Sequence, residues 1–356
     1  MRYNLFGESH GPAIGVVIQG VPSGLAIDTD FISSEMARRA PGKSPLATAR
    51  NEKDAVEIVS GVFEGRSCGT PLCGIIRNTD MHSRDYASTR WLARPGHADF
   101  TAHLRYSGFE DYRGGGHFSG RLTAPLVFAG AIAKTALSGS GITVFARIAQ
   151  VAGIADAPLD MAAPDLEALR TASLKTFPVL DDACGERMQS AILDAKNDLD
   201  SVGGIIECVV SGLPAGAGSP DFDENIESLI ARHVFAVPAV KGLEFGAGFG
   251  FASMRGSRAN DAFVPAGGAL RTRTNNNGGI NGGIANGMPV VFRVAIKPTP
   301  SISQEQDTVN MSTGEAAKLT ITGRHDPCIL SRAVPVIEAT AALAATEIPG
   351  VLRYEA

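Results

Sequence analysis

Four short stretches of this chain bring proton-transferring, anion-binding and conformationally free residues close enough to do chemistry. In the first, Phe6-Gly7-Glu8-Ser9-His10-Gly11, a hydroxyl and an imidazole stand between two glycines, ahead of an apolar run over 14–18. Histidine changes charge near neutral pH and suits proton transfer, and glycine lets backbone approach a ligand closely. In the second, Arg94-Pro95-Gly96-His97-Ala98-Asp99, His97 leads into a predicted helix over 98–106. A helix N-terminus disfavours the charged imidazole, so His97 reads either as a ready proton donor or as a cap bound to backbone. The third, running from Asp111 through Arg113, Gly114-Gly115-Gly116, His117, Phe118, Ser119 and Gly120 to Arg121, ends at a predicted helix from Thr123. Three glycines between arginines before a helix N-terminus make a natural phosphate cradle; the alternative is a surface hairpin. In the fourth, Gly323-Arg324-His325-Asp326-Pro327-Cys328, Asp326 is either a buried base steered by its arginine or an N-cap. Cys328 has no histidine base paired with it and reads as structural.

Two weaker signals accompany these. Lys297-Pro298-Thr299-Pro300-Ser301 reads as a rigid turn carrying hydroxyls and a cation, and Arg38-Arg39-Ala40-Pro41-Gly42-Lys43 closes a helix where the dipole alone would favour basic residues. The run from Asn275 to Gly283 is too polar and flexible for regular structure, so it is either disordered or wrapped round a ligand. Gly246-Ala247-Gly248-Phe249-Gly250 only superficially matches a dinucleotide fingerprint.

The elements that must position these motifs alternate irregularly. Strands are expected over 14–20, 73–77, 142–148, 205–210 and 290–296, and helices over 29–40, 123–137, 188–199, 225–235 and 329–345. Thr29 and Thr123 are the expected N-caps of the first two long helices. The order is not that of a doubly wound parallel sheet, so the fold class is α+β. No linker divides the 356 residues, which read as a single domain over 1–356.

Composition narrows the function. An apolar fraction of 44% and a charged fraction of 19% describe a soluble globular chain, and no apolar run is long enough to span a membrane. With no signal-peptide core at its start, the expected compartment is the cytoplasm. A net charge of −5 gives no support for nucleic-acid binding, and the 5 cysteines lack metal-finger spacing, so no metal is expected. Residues 1–125 hold 12 arginines but 2 lysines, with 5 of the 7 histidines and 13 acidic residues. Either the arginines grip an anion bidentately or they form a salt-bridged surface.

Taken in order, these motifs resemble the chorismate synthase family over some 320 residues. Further support comes from Ser60-Gly61-Val62, Gly130-Ala131-Ile132-Ala133-Lys134, Asp200-Ser201-Val202-Gly203-Gly204 and Val240-Lys241-Gly242-Leu243-Glu244. The resemblance implies a β-α-β sandwich, with antiparallel sheets around long helices, assembled as a homotetramer. It also implies a carbon–oxygen lyase that removes phosphate from 5-enolpyruvylshikimate 3-phosphate by 1,4-anti elimination, using reduced FMN without net redox change.

Residue roles follow from the same resemblance. His10, with Ser9 beside it, would protonate the departing phosphate, His97 would serve the reduced flavin, and Asp326 would relay the proton taken up there. Arg39, Arg94, Arg121 and Arg324 would hold the substrate's phosphate and two carboxylates. The flavin would lie against His117, Phe118, Ser119, Pro238, Ala239, Gly282, Lys297, Pro298, Thr299, Pro300, Ser301 and Arg324, which assigns the asparagine–glycine run to cofactor wrapping. NADPH or a separate flavin reductase would keep the flavin reduced.

Two departures stand out: His117 and Phe118 replace a more usual arginine and serine, and Pro45 replaces a more usual arginine, with Lys43 or Arg50 near enough to substitute. Two other readings compete. A flavin oxidoreductase acting on a phosphorylated carboxylate would consume nicotinamide stoichiometrically. A non-catalytic flavin- or phosphate-binding relative would have no need of His10, His97 and Asp326 together.

Overall fold

The structure is a computed structural model that describes residues 1–42, 54–79, 89–321 and 325–352. Lys43, Pro45, Arg50 and Arg324 lie outside the described residues.

Strict alternation of exposure along Arg2–Gly7 marks a strand with one wet face, and it pairs antiparallel with Ala13–Gln19 across the turn that holds Ser9 and His10. Leu72–Arg77 and then Val56–Ser60 complete this sheet, all antiparallel. A second antiparallel sheet runs Val240–Phe245, Val290–Ile296, Gly204–Ser211, Thr143–Val151, Ile154–Ala155.

The helices are α1 (Thr29–Arg39), α2 (Asp99–Arg105), α3 (Thr123–Ser138), α4 (Leu166–Ser173), α5 (Asp182–Asn197), α6 (Ile226–Phe235), α7 (Gly256–Ala259) and α8 (Leu330–Glu347). Helix α3 buries every residue from Thr123 to Ala133, and α8 buries every residue from Ala333 to Thr346. Helices apolar on all sides have no face for water and become the central layer. Accordingly α3 packs on the first sheet, α8 on the second, and each on the other. Small residues set the spacing: a Cβ at Gly130 would stand 2.2 Å from the Ala339 Cβ, and one at Gly74 2.4 Å from the Phe128 ring. This is the expected α+β sandwich, and one apolar core draws on residues from Met1 to Val351.

Boundaries shift where polar first turns hide a helix start. Helix α5 begins at Asp182, six residues ahead of the expected Met188, because the Asp181 carboxylate caps the Ala183 and Cys184 N–H groups. Neither expected threonine cap holds. Asp28 caps α1 through the N–H groups of Asp30 and Phe31, and the Thr123 hydroxyl donates to Gly120 O while accepting from Arg39 Nε. Asn225 does cap α6, accepting from Ser228 N.

Candidate active site

The turn between the first two strands delivers Ser9 and His10 to the interior, where each is almost fully buried. Ser9 Oγ lies 3.1 Å from Gly114 O, 3.2 Å from Arg113 O and 3.0 Å from His10 Nδ1. A carbonyl can only accept, so the serine proton points at backbone and its oxygen accepts from His10 Nδ1–H. That fixes the tautomer and leaves Nε2 as the atom that takes or gives a proton.

His97 is locked in the same way by a different group. Its Nδ1 donates to Asp99 Oδ1 at 2.7 Å, and Arg94 grips the same carboxylate through Nε at 2.7 Å and Nη2 at 2.6 Å. Burial alone would raise the Asp99 pKa, but the hydrogen bonds from Arg94 and His97 hold it well below the usual carboxylate range. The carboxylate therefore stays ionised. His97 is oriented by Asp99 and not as a backbone cap.

Between the two imidazoles runs the triple glycine. Gly114, Gly115 and Gly116 have φ of 59°, 84° and 51°, in the left-handed region. A Cβ at Gly114 would stand 2.2 Å from His10 Cε1, one at Gly115 3.1 Å from His97 Nε2, and one at Gly116 2.1 Å from Asp111 O. The loop is packed, not a surface hairpin, and its glycines let two histidines close on one backbone segment. Arg113, expected at a phosphate cradle, is paired with Asp111 at 2.7 Å.

Arginines ring the far side. Arg39 and Arg121, both buried, share the buried carboxylate of Asp54; Arg39 Nη1 reaches Oδ2 at 2.6 Å and Arg121 Nη1 pairs with Oδ1. Arg39 Nη2 also donates to Gly120 O at 3.0 Å, and Arg121 Nε to Asn78 Oδ1 at 3.1 Å. Burial and the Arg332 charge pull the Arg39 pKa down to about 10, with Asp54 opposing, so it keeps its charge at neutral pH. Burial would raise Asp54, but Arg39 and Arg121 hold it below its ordinary value. Arg332, in the first turn of α8, donates to Asp326 Oδ2 at 2.7 Å and to Arg39 O at 3.1 Å. The basic end of α1 is thus drawn inward, beyond anything helix-dipole placement alone would require.

These groups face a cleft of about 790 Å³. Its walls include His10, Arg39, Arg94, His97, His117, Phe118, Ser119, Arg121, Pro238, Ala239, Lys297, Thr299, Pro300, Ser301, His325, Asp326 and Arg332. The segments 238–239 and 297–301 meet through Lys297 N donating to Ala239 O at 2.9 Å. Ser9 sits behind His10 and Pro298 packs against Gly203, so neither lines the cleft. Gly282 does not join the others either. It lies in the hairpin of Ile280–Asn281 and Ile284–Ala285, whose Gly283 sits against the Asn225 cap of α6, whereas Pro238 follows the opposite end of that helix about 15 Å away. The run 275–283 is neither disordered nor folded round this cleft. Asp261 accepts from Asn276 N and Asn277 N at 2.8 and 2.9 Å, and buried Asn275 donates to Met161 O and Pro289 O.

Four contributors were not assigned from sequence. Asp54 and Asp99 are the clamps just described, Arg332 bridges Arg39 to Asp326, and His325 lines the cleft with a buried Nε2 that has no hydrogen-bond partner. Burial and the Arg94 charge push the His325 pKa below the usual histidine value, Asp326 only partly opposing. Cys328 is buried, and burial pushes its thiol up to about 11, in keeping with a structural role.

The residues present fit a flavin: buried Thr299 Oγ1 and His325 Nε2 both lack partners on the cleft wall, and Lys297 supplies a cation beside them. Among the described residues no group of three or more His, Cys, Asp or Glu could hold a metal ion, and no helix is long and apolar enough to cross a membrane.

Two tautomer-locked histidines facing buried arginines across one cleft define an acid–base enzyme for an anionic substrate, built on two antiparallel sheets around central helices. Residues 1–348 match the family model described as chorismate synthase, and the chain belongs to that family. It is 49% identical over 335 residues to a chorismate synthase of Dehalococcoides mccartyi, covering 94% of this chain and 90% of the relative. A chorismate synthase of Aeropyrum pernix is 44% identical over 348 residues, covering 98% and 90%. A crystal structure of chorismate synthase superposes with a TM-score of 0.77 at 28% identity, over 97% of this chain and 90% of that one.

Proposed function

We infer from family membership and the site that this chain, acting as one catalytic unit, is a carbon–oxygen lyase. It eliminates phosphate from 5-enolpyruvylshikimate 3-phosphate to give chorismate. The observation that carries the reading is the pair His10 and His97, each fixed through Nδ1 and presented to one cleft with Arg39, Arg94 and Arg121. Reduced FMN, when bound, supplies electron density to the substrate ring and receives it back.

The chain's own residues do the rest. His10 Nε2 protonates the departing phosphate, while Ser9 holds the ring in register. Guanidinium groups already fixed by Asp54 and Asp99 meet the substrate's phosphate and carboxylates without reorganising, which is where preorganised charge is most effective. His97 Nε2 faces the flavin, and Asp326, steadied by Arg332, moves the proton taken up on that side. His117, Phe118, Ser119, Pro238, Ala239, Lys297, Thr299, Pro300 and Ser301 hold the flavin. The reading extends to a cytoplasmic homotetramer supplied with electrons by NADPH or a separate flavin reductase.

The test is anaerobic turnover of the substrate with dithionite-reduced FMN. Chorismate and phosphate should appear in equal amounts with the flavin still reduced, and His10→Ala should slow turnover by roughly 10²–10⁴-fold, the usual worth of a positioned acid. Oxidation of the flavin in step with substrate loss would favour the oxidoreductase reading instead. Tight FMN binding without any chorismate would refute the lyase assignment.

A further inference from the structure

Behind the wall formed by Arg94, His97 and Phe118 lies a second cavity of about 430 Å³. Half of its lining is apolar or aromatic, including Leu92, Tyr106, Phe109 and Leu319. Two groups at its wall, Glu110 and Arg90, stand out. Glu110 Oε1 meets His103 Nδ1 at 3.1 Å, but Oε2 is buried with no hydrogen-bond partner. Arg90 stacks over the rings of Trp91 and Tyr112 at 4.7 and 4.9 Å, and no described carboxylate reaches it.

Two of the neighbouring acids are satisfied, Asp99 by Arg94 and His97 and Asp111 by Arg113, while Glu8 is only half-buried and open to solvent. A buried acceptor without a donor is unfavourable, so one that persists at a cavity wall points to a donor on a ligand. A continuous chain of contacts joins the two unmatched groups. Arg90 lies on Trp91, Trp91 packs edge-on against His103 at 5.7 Å, and His103 holds Glu110.

We propose that this cavity binds a small α-amino acid with a bulky apolar side chain. Its ammonium donates to Glu110 Oε2, its carboxylate pairs with Arg90, and its side chain lies among Tyr106, Phe109 and Leu319. Because His97 and Phe118 belong to both cavities, an occupant bears directly on the wall of the catalytic cleft. The proposal goes beyond the lyase reading, and its binding test is independent of turnover.

The experiment is calorimetric titration of the full chain with L-phenylalanine and L-leucine, and with two half-ligands: phenethylamine, which lacks the carboxylate, and 3-phenylpropanoate, which lacks the ammonium. Saturable binding of at least one amino acid is expected, with each half-ligand at least tenfold weaker than L-phenylalanine. Glu110→Gln and Arg90→Ala should each weaken the amino acid by tenfold or more while leaving FMN affinity unchanged. Arg90 is exposed, so its variant keeps the test decisive if Glu110→Gln misfolds. Absence of saturable binding by either amino acid, equal affinity for the half-ligands, or indifference to Arg90→Ala would each overturn the proposal.

Discussion

Substituting the glycines between the two histidines tests the site's geometry more sharply than removing either imidazole. An alanine at Gly114 would place its Cβ 2.2 Å from Cε1 and 2.3 Å from Nδ1 of His10, and 2.9 Å from Ser9 Oγ. Non-bonded carbons settle at about 3.5–4.0 Å, so the imidazole must retreat by about 1.3 Å or more. The 3.0 Å bond from Ser9 to Nδ1 does not survive such a shift. A misplacement of about 1 Å at a reacting group costs on the order of 10²-fold in rate. At Gly115 the same Cβ would stand 3.0 Å from His97 Cε1, requiring about half an ångström of movement. Both positions have positive φ, so both variants carry a similar backbone penalty of about 1–2 kcal/mol. Unmatched turnover is therefore the signature. Gly114→Ala should lose roughly 10²-fold in kcat and Gly115→Ala several-fold, with the thermal midpoint of Gly114→Ala the lower because its buried imidazole is displaced further. The assay is chorismate formation with reduced FMN, alongside FMN titration and thermal melts. Equal kcat losses in the two variants, or full activity in Gly114→Ala, would refute the reasoning.

Other perturbations probe separate parts of the argument. Asp99→Asn offers Nδ1 of His97 an amide in place of the carboxylate, and exchanging the tautomer should cut kcat by roughly 10²–10⁴-fold with FMN affinity retained in a flavin titration. Glu338 is sealed in the core, where burial would raise its pKa but Arg38 and Lys134 lower it from 4.5 to about 2. A depressed carboxylate stabilises the fold above its ordinary value, and that contribution fades as pH falls from about 4.5 toward 2. Glu338→Gln should flatten this acid limb in urea melts and cost about 3–5 kcal/mol at neutral pH, whereas an unchanged acid limb would show that Glu338 does not titrate there. Iodoacetamide at neutral pH should modify exposed Cys68 and spare Cys328, as peptide mapping will show.

Much of the site is legible in local sequence because the chemistry is carried by contiguous motifs. Ser9 and His10, Arg94 through Asp99, and His325 with Asp326 each arrive as a unit, and strands such as Val290–Ile296 coincide with the expected range. What escapes are partners set by long-range packing. Asp54 matters only because the fold brings Arg39, 15 residues away, and Arg121, 67 away, to its two oxygens. Arg332 looks like an ordinary first-turn residue until α8 is laid beside α1. A signal for Asp99 was present, two residues after His97 in a tight turn, where an acid readily meets an imidazole. The order of the asparagine–glycine run was not legible because its composition suggests flexibility, while Asp261 and Ala247 hold it from outside the window. The start of α5 was missed because its first turn, from Asp182 to Gly185, carries no apolar periodicity.

Helix α8 has a consequence for how the enzyme fails. Its first turn steadies Asp326 and the carbonyl of Arg39, and two turns later the same helix seals Glu338 between the layers. A reaction chamber fastened to a central helix cannot melt as a separate lid or loop, since releasing it means withdrawing the helix from the second sheet and from α3. Heat inactivation and loss of helical circular dichroism should therefore trace one curve. Amides near the middle of α8 should exchange only through global opening, so survival of activity on heating is governed by the core itself.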